Sequence, residues 1–130
     1  MRIDDLIGKP FVDGGRGPGG YDCYGVVKEV FRRVGIDLPE YHIGCLDTLA
    51  ISAAVESQRS LWRRLTSPAA PCVVAIRLNP GSISHVGAYI GGGQFIHAYQ
   101  NAGGVCINRL EELVWKRRIE GFYAPGWLHD

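Results

Sequence analysis

The chain has almost no net charge, no closely paired cysteines and no long apolar run. Its 14 basic and 13 acidic residues leave a formal charge of +1 over 130 residues, so it lacks the basic footprint of a nucleic-acid partner. The short clusters Arg63-Arg64 and Lys116-Arg117-Arg118 fit a solvated surface. No apolar stretch reaches the length needed to cross a bilayer, so no membrane span is expected. No apolar h-region follows Met1-Arg2-Ile3-Asp4-Asp5, and the expectation is synthesis in the cytoplasm without a signal peptide. The four cysteines, Cys23, Cys45, Cys72 and Cys106, form no Cys-x-x-Cys or zinc-knuckle spacing. Disulfides are therefore not expected, and Cys45, Cys72 and Cys106 read as structural. The glycine-rich run from Val12 to Gly20 has no Walker pattern and reads as a loop, not a phosphate cradle. His42 and His129 fall in loop and tail.

What is present suits one domain, 1–130, with a single hydrophobic core. A short helix is expected within residues 1–10. Cys23, Val26, Val27, Val30, Phe31 and Val34 recur at helical spacing, while Lys28, Glu29, Arg32 and Arg33 take the other face. The spacing predicts a helix over 22–34, with Asp22 at its N-terminus and Gly35 as its stop. Residues 46–65 read as one helix, or as two broken near Ser57, with Leu61, Trp62 and Leu65 as a buried edge. Strands are expected at 73–78, 85–90, 94–99, 105–107 and 119–123, with turns at Asn79-Pro80-Gly81-Ser82 and Gly91-Gly92-Gly93 and a helical turn at 110–115. Helices followed by a meander of antiparallel strands make an α+β plan.

The chemistry concentrates in three residues. A cysteine at a helix start feels the positive end of the helix dipole, which favours the nucleophilic thiolate. His85 opens a predicted strand, and His97 lies on the return strand of the same hairpin. If Ile90 pairs with Gln94, His97 falls opposite Gly87, on the same face as His85. Gly87 then leaves room for both rings. Cysteine, base and orienting group are the parts of a thiol hydrolase. In that scheme His85 takes the Cys23 proton, giving a thiolate–imidazolium pair at neutral pH. His97 fixes the His85 tautomer, and the Cys23 backbone N–H stabilises the oxyanion. The same residue types would also suit zinc, but neither a metal nor a cofactor is expected.

These motifs together resemble the NlpC-type cell-wall cysteine peptidases of the papain-like superfamily. The resemblance runs from about Ile7 to Tyr123. It rests on Gly8-Lys9-Pro10-Phe11, Tyr21-Asp22-Cys23-Tyr24-Gly25, Gly35-Ile36-Asp37-Leu38-Pro39, His85-Val86-Gly87-Ala88-Tyr89-Ile90 and Phe95-Ile96-His97-Ala98. It implies N-terminal helices packed on a central antiparallel sheet, with Cys23 as nucleophile, His85 as base and His97 as the third residue. It further implies cleavage of peptidoglycan stem peptides, commonly between γ-D-glutamate and a diamino acid. Phe11 and Tyr24 stand where the family usually has Tyr and Ser, and with Asp22 they are expected to meet the substrate. The compact form and the run Arg118-Ile119-Glu120-Gly121-Phe122-Tyr123 are similar to peptidases of phage and prophage tails. This implies phage-tail proteins as partners and delivery to the wall by a tail or by lysis.

Overall fold

The computed structural model describes residues 2–41, 48–78 and 81–128. Cys45, His42, His129 and the first half of the Asn79-Pro80-Gly81-Ser82 turn lie outside them.

The first helix, α1 (Cys23–Arg32), forms where the periodicity places it. Asp22 caps it by accepting a hydrogen bond from the Gly25 N–H, which would otherwise lack a partner in the first turn. At the other end Gly35 adopts φ +84°, a conformation that glycine enters without a Cβ clash. Val26, Val27, Val30 and Phe31 are completely buried, each contributing about 1.5–3 kcal/mol of transfer free energy. The expected N-terminal helix is a single 3-10 turn, Asp4–Leu6, ahead of Gly8.

The segment 46–65 divides at the expected break. Helix α2 (Thr48–Ser57) precedes a 3-10 turn at Arg59–Leu61. The chain then becomes a strand, β1 (Trp62–Leu65), and not the rest of a helix. Of the expected buried edge, Leu61 is exposed, while Trp62 and Leu65 are half-buried through strand pairing: Trp62 faces Pro125 and Leu65 faces Phe122. That contact, about 60 residues away in sequence, outweighs a local helical preference.

Five further strands follow: β2 (Cys72–Ile76), β3 (His85–Gly91), β4 (Gln94–Tyr99), β5 (Gly104–Arg109) and β6 (Ile119–Pro125). The one-turn helix α3 (Leu113–Lys116) lies between β5 and β6. The strands form one sheet in the order β1-β6-β2-β3-β4-β5, with every pairing antiparallel. Side-chain alternation along the strands divides the core in two. Ala88, Ile96 and Ala98 join Val26, Val27 and Phe31 on the face covered by α1. Val74, Ile76 and Phe95 pack with Trp115 of α3 on the other.

The β3–β4 hairpin carries the expected register, with Ala88 facing Ile96 and Tyr89 facing Phe95. Its irregularity is confined to the turn, where Gly91, not Ile90, faces Gln94. His97 thus falls beside Gly87, where an added Cβ would lie 3.2 Å from the His97 Cβ and 3.0 Å from the Phe95 ring. The space reserved by Gly87 is real.

Candidate active site

Cys23 is the first residue of α1 and is buried. It lines a cleft together with Asp22, Tyr24 and Tyr41. Ile51, Ala54 and Val55 of α2 form one apolar wall, and Val73, Ala75, Ile83 and Val86 form another. The α1 dipole places positive potential at Cys23. Cys23, Cys72 and Cys106 form no disulfide.

Asp22 is 1% exposed, and both of its carboxylate oxygens are engaged by the protein. Oδ1 accepts from Gly25 N at 2.7 Å and from Arg16 Nη1 at 2.7 Å, and Oδ2 accepts from Gly14 N at 3.1 Å. Arg16 also donates to Glu40 at 2.8 Å and lies over the Tyr24 ring. The carboxylate thereby ties the glycine loop to the helix start. Tyr24 borders the cleft, with its ring 5.2 Å from that of Tyr41 and its hydroxyl donating to the Pro39 carbonyl. Burial pushes its phenol pKa up. Phe11 lies outside the cleft lining and packs against the α1 core.

His85 and His97 meet as expected: Nε2 of His85 lies 2.7 Å from Nδ1 of His97. Both rings belong to the sheet face opposite α1, among Phe95, Tyr99 and Trp115. Ile83 and Val86, which flank Ser84-His85, line the Cys23 cleft, so the start of β3 borders it while the His85 ring turns to the far side. Cys23 and His85 approach this strand end from its two faces.

Burial, reinforced by neighbouring His97, lowers the His85 pKa to about 3. The ring is therefore neutral near pH 7. This departs from the resting thiolate–imidazolium pair expected from sequence, because removing an imidazolium from water costs more than the site returns. Burial also lowers the His97 pKa, against opposing effects from Asn108 and Glu112.

Two polar residues behind His97 escaped the sequence analysis. Asn108 Oδ1 lies 2.7 Å from His97 Nε2, and Asn108 Nδ2 donates to Glu112 Oε1 at 3.2 Å. Cys106, expected to be strand packing, is half-buried with its Sγ 3.6 Å from His97 Nε2. Strand alternation could have placed Cys106 and Asn108 on one face, but only the β4–β5 register brings them to His97. Among the described residues, no group of three or more His, Cys, Asp or Glu side chains is disposed to hold a metal. The same residues include no helix long and apolar enough to cross a membrane.

Comparison with known proteins gives the architecture its context. The chain is 34% identical over 117 residues to a protein of Listeria grayi named "Probable endopeptidase p60", covering 89% of this chain and 20% of the relative. It is 34% identical over 123 residues to the gamma-DL-glutamyl hydrolase of Bacillus subtilis, covering 93% of this chain and 27% of that protein. The chain thus spans about a fifth to a quarter of these relatives' lengths. An NLP/P60 family protein of Staphylococcus aureus superposes with a TM-score of 0.67 at 21% identity, covering 95% of this chain and 38% of the other, and shows the same α+β, papain-like fold. The NlpC/P60 family model matches residues 8–123. With nearly the whole chain inside that match, this protein belongs to the NlpC/P60 family.

Proposed function

We propose that the chain is a cysteine peptidase that hydrolyses amide bonds in the stem peptides of peptidoglycan, with the γ-D-glutamyl to diamino acid bond as its target. The observation that carries this proposal is a helix-start cysteine lining a cleft that the start of β3 borders, with the hydrogen-bonded pair His85–His97 carried by β3 and its neighbour β4. Relatives of Bacillus subtilis named a probable peptidoglycan endopeptidase and a gamma-DL-glutamyl hydrolase support this choice of substrate class.

In this mechanism neutral His85 accepts the Cys23 proton as substrate arrives. The thiolate attacks the amide carbonyl, forming a C–S bond while the oxyanion is met by N–H groups at the α1 N-terminus. The His85 imidazolium, transiently stabilised by His97, returns its proton to the amine as the C–N bond breaks. Water, deprotonated by His85, attacks the thioester, and as the C–S bond breaks the His85 imidazolium returns that proton to the Cys23 sulfur, restoring the thiol and the neutral ring. Because the His85 ring lies outside the cleft that Cys23 lines, the two need to come into proton-transfer reach in the substrate complex. Apo geometries commonly tighten at that stage.

The test is digestion of purified muropeptides followed by mass analysis of the products. The expected result is cleavage within the stem, lost in Cys23→Ala. Release of intact stem from the sugar would make the protein an amidase, and absence of any Cys23-dependent product would defeat the proposal.

A further inference from the structure

We infer that Asn108 and Glu112 are positioning residues that set the tautomer of both histidines through a one-directional chain of hydrogen bonds. The inference deepens the proposed function and rests on it for its catalytic meaning; the bond directions follow from the donor and acceptor inventory alone.

Glu112 is the fixed end. Its Oε2 accepts the Arg109 backbone N–H, and its Oε1 faces Asn108 at 3.2 Å. A carboxylate only accepts, so the Asn108 atom facing it is the amide nitrogen. The Asn108 carbonyl oxygen is thereby turned towards His97, 2.7 Å from Nε2. That oxygen also only accepts, so His97 carries its proton on Nε2. A neutral imidazole with Nε2–H has a bare Nδ1. Nδ1 of His97 then accepts from His85 Nε2 at 2.7 Å. His85 is left with a bare Nδ1, the nitrogen free to take a thiol proton.

The surroundings agree with this direction. The Cys106 thiol, 3.5 Å from Asn108 Oδ1, can donate to the oxygen's second lone pair without disturbing the His97 bond. Trp115, in the helical turn that follows Glu112, packs edge-to-face on the His97 ring at 4.8 Å and restrains its rotation. No buried side-chain nitrogen or oxygen among the described residues lacks a partner. Reversing the His85–His97 or His97–Asn108 link would set two acceptors or two donors against each other out of reach of bulk water, which costs about 1–3 kcal/mol for each lost bond. His97 alone could adopt either tautomer; Asn108, held by Glu112, selects one.

The deciding measurement is long-range proton–nitrogen NMR of protein labelled with 15N-histidine, which identifies the protonated nitrogen of each ring. At pH 7 both His85 and His97 should show protonated Nε2 and bare Nδ1. Asn108→Leu removes the acceptor and should mix the His97 signals between tautomers. Asn108→Asp made together with Glu112→Gln keeps an acceptor towards His97 without opposing two carboxylates, and should retain the native pattern, which separates tautomer selection from damage to the fold. Alkylation of Cys23 should slow several-fold in Asn108→Leu and recover in the double variant Asn108→Asp with Glu112→Gln. A native His97 protonated on Nδ1, or an unchanged pattern in Asn108→Leu, would overturn the inference. The spectra need no turnover, so an inactive wild type defeats the proposed function while the ring patterns still decide this assignment.

Discussion

Arg16 donates to Asp22 through a 2.7 Å bond that fastens the glycine-rich loop to the N-cap of α1. Asp22 holds the Gly14 and Gly25 N–H groups at the same time. Asp22→Ala should therefore destabilise the fold by about 2–4 kcal/mol: roughly 1 from the lost cap and the rest from charge-assisted bonds left unmade in a buried place. Asp22→Asn, which keeps an acceptor for Gly25, should lose less than half as much. Urea unfolding of the two variants checks the order.

Gly87 is a second point of close tolerance. A Cβ there would lie 3.0 Å from the Ile96 carbonyl and the Phe95 ring, and close to His97. Gly87→Ala should cost about 1–3 kcal/mol through overpacking and displace the His97 ring. Thermal melting together with the histidine NMR signals tests both effects. An unperturbed His97 would show that the hairpin can yield without moving the site.

Acid should weaken the protein through His85. Unfolded, its imidazole titrates near 6.5; folded, near 3. Above 6.5 both states are neutral and this contribution to stability is complete. Between those values the unfolded chain binds a proton that the folded chain excludes, so stability falls as pH falls, by up to about 1.4 kcal/mol per pH unit. Urea midpoints from pH 7 to pH 4 should show the slope, and His85→Gln should flatten it.

Tyr24 narrows the way to Cys23. Its ring lies against Tyr41 and its hydroxyl is held by Pro39. Tyr24→Ser should speed labelling of Cys23 by bulky maleimides several-fold more than labelling by iodoacetamide. Tyr24→Phe should change neither rate by more than about two-fold, since only one hydrogen bond of roughly 1 kcal/mol is lost. Equal acceleration of both reagents in Tyr24→Ser would point to loosening of α1 and not to an opened cleft.

Helix α1 and the β3–β4 hairpin were legible because each writes its period within a few residues. Val26, Val30 and Phe31 declare a helical face, and the glycines after Ile90 declare a turn. β1 was not legible: Trp62 and Leu65 flank two arginines, a pattern that also suits a helix, and only pairing with β6 decides it. The family motifs pointed to Cys23, His85 and His97, but alternation within one hairpin could not tell which face α1 would cover. Asn108 and Glu112 look like an ordinary polar turn in sequence, and their meaning depends on the β4–β5 register. The neutral state of His85 was equally hidden, because desolvation comes from residues distant in the chain, such as Tyr99 and Trp115.

The position of β6 between β1 and β2 sets an order of assembly. β2 can pair with β3 as soon as the hairpin region is made, but its other edge waits for residues 119–123, and β1 has no neighbour in the sheet until β6 arrives. On a translating ribosome, α1 and the β3–β4 hairpin can associate early while two strand edges stay open to wrong partners. Of these six strands, the last in chain order is the one that closes the sheet. Within this fold Cys23 is made ahead of every strand, while the sheet that borders its cleft is complete only once β6 is added.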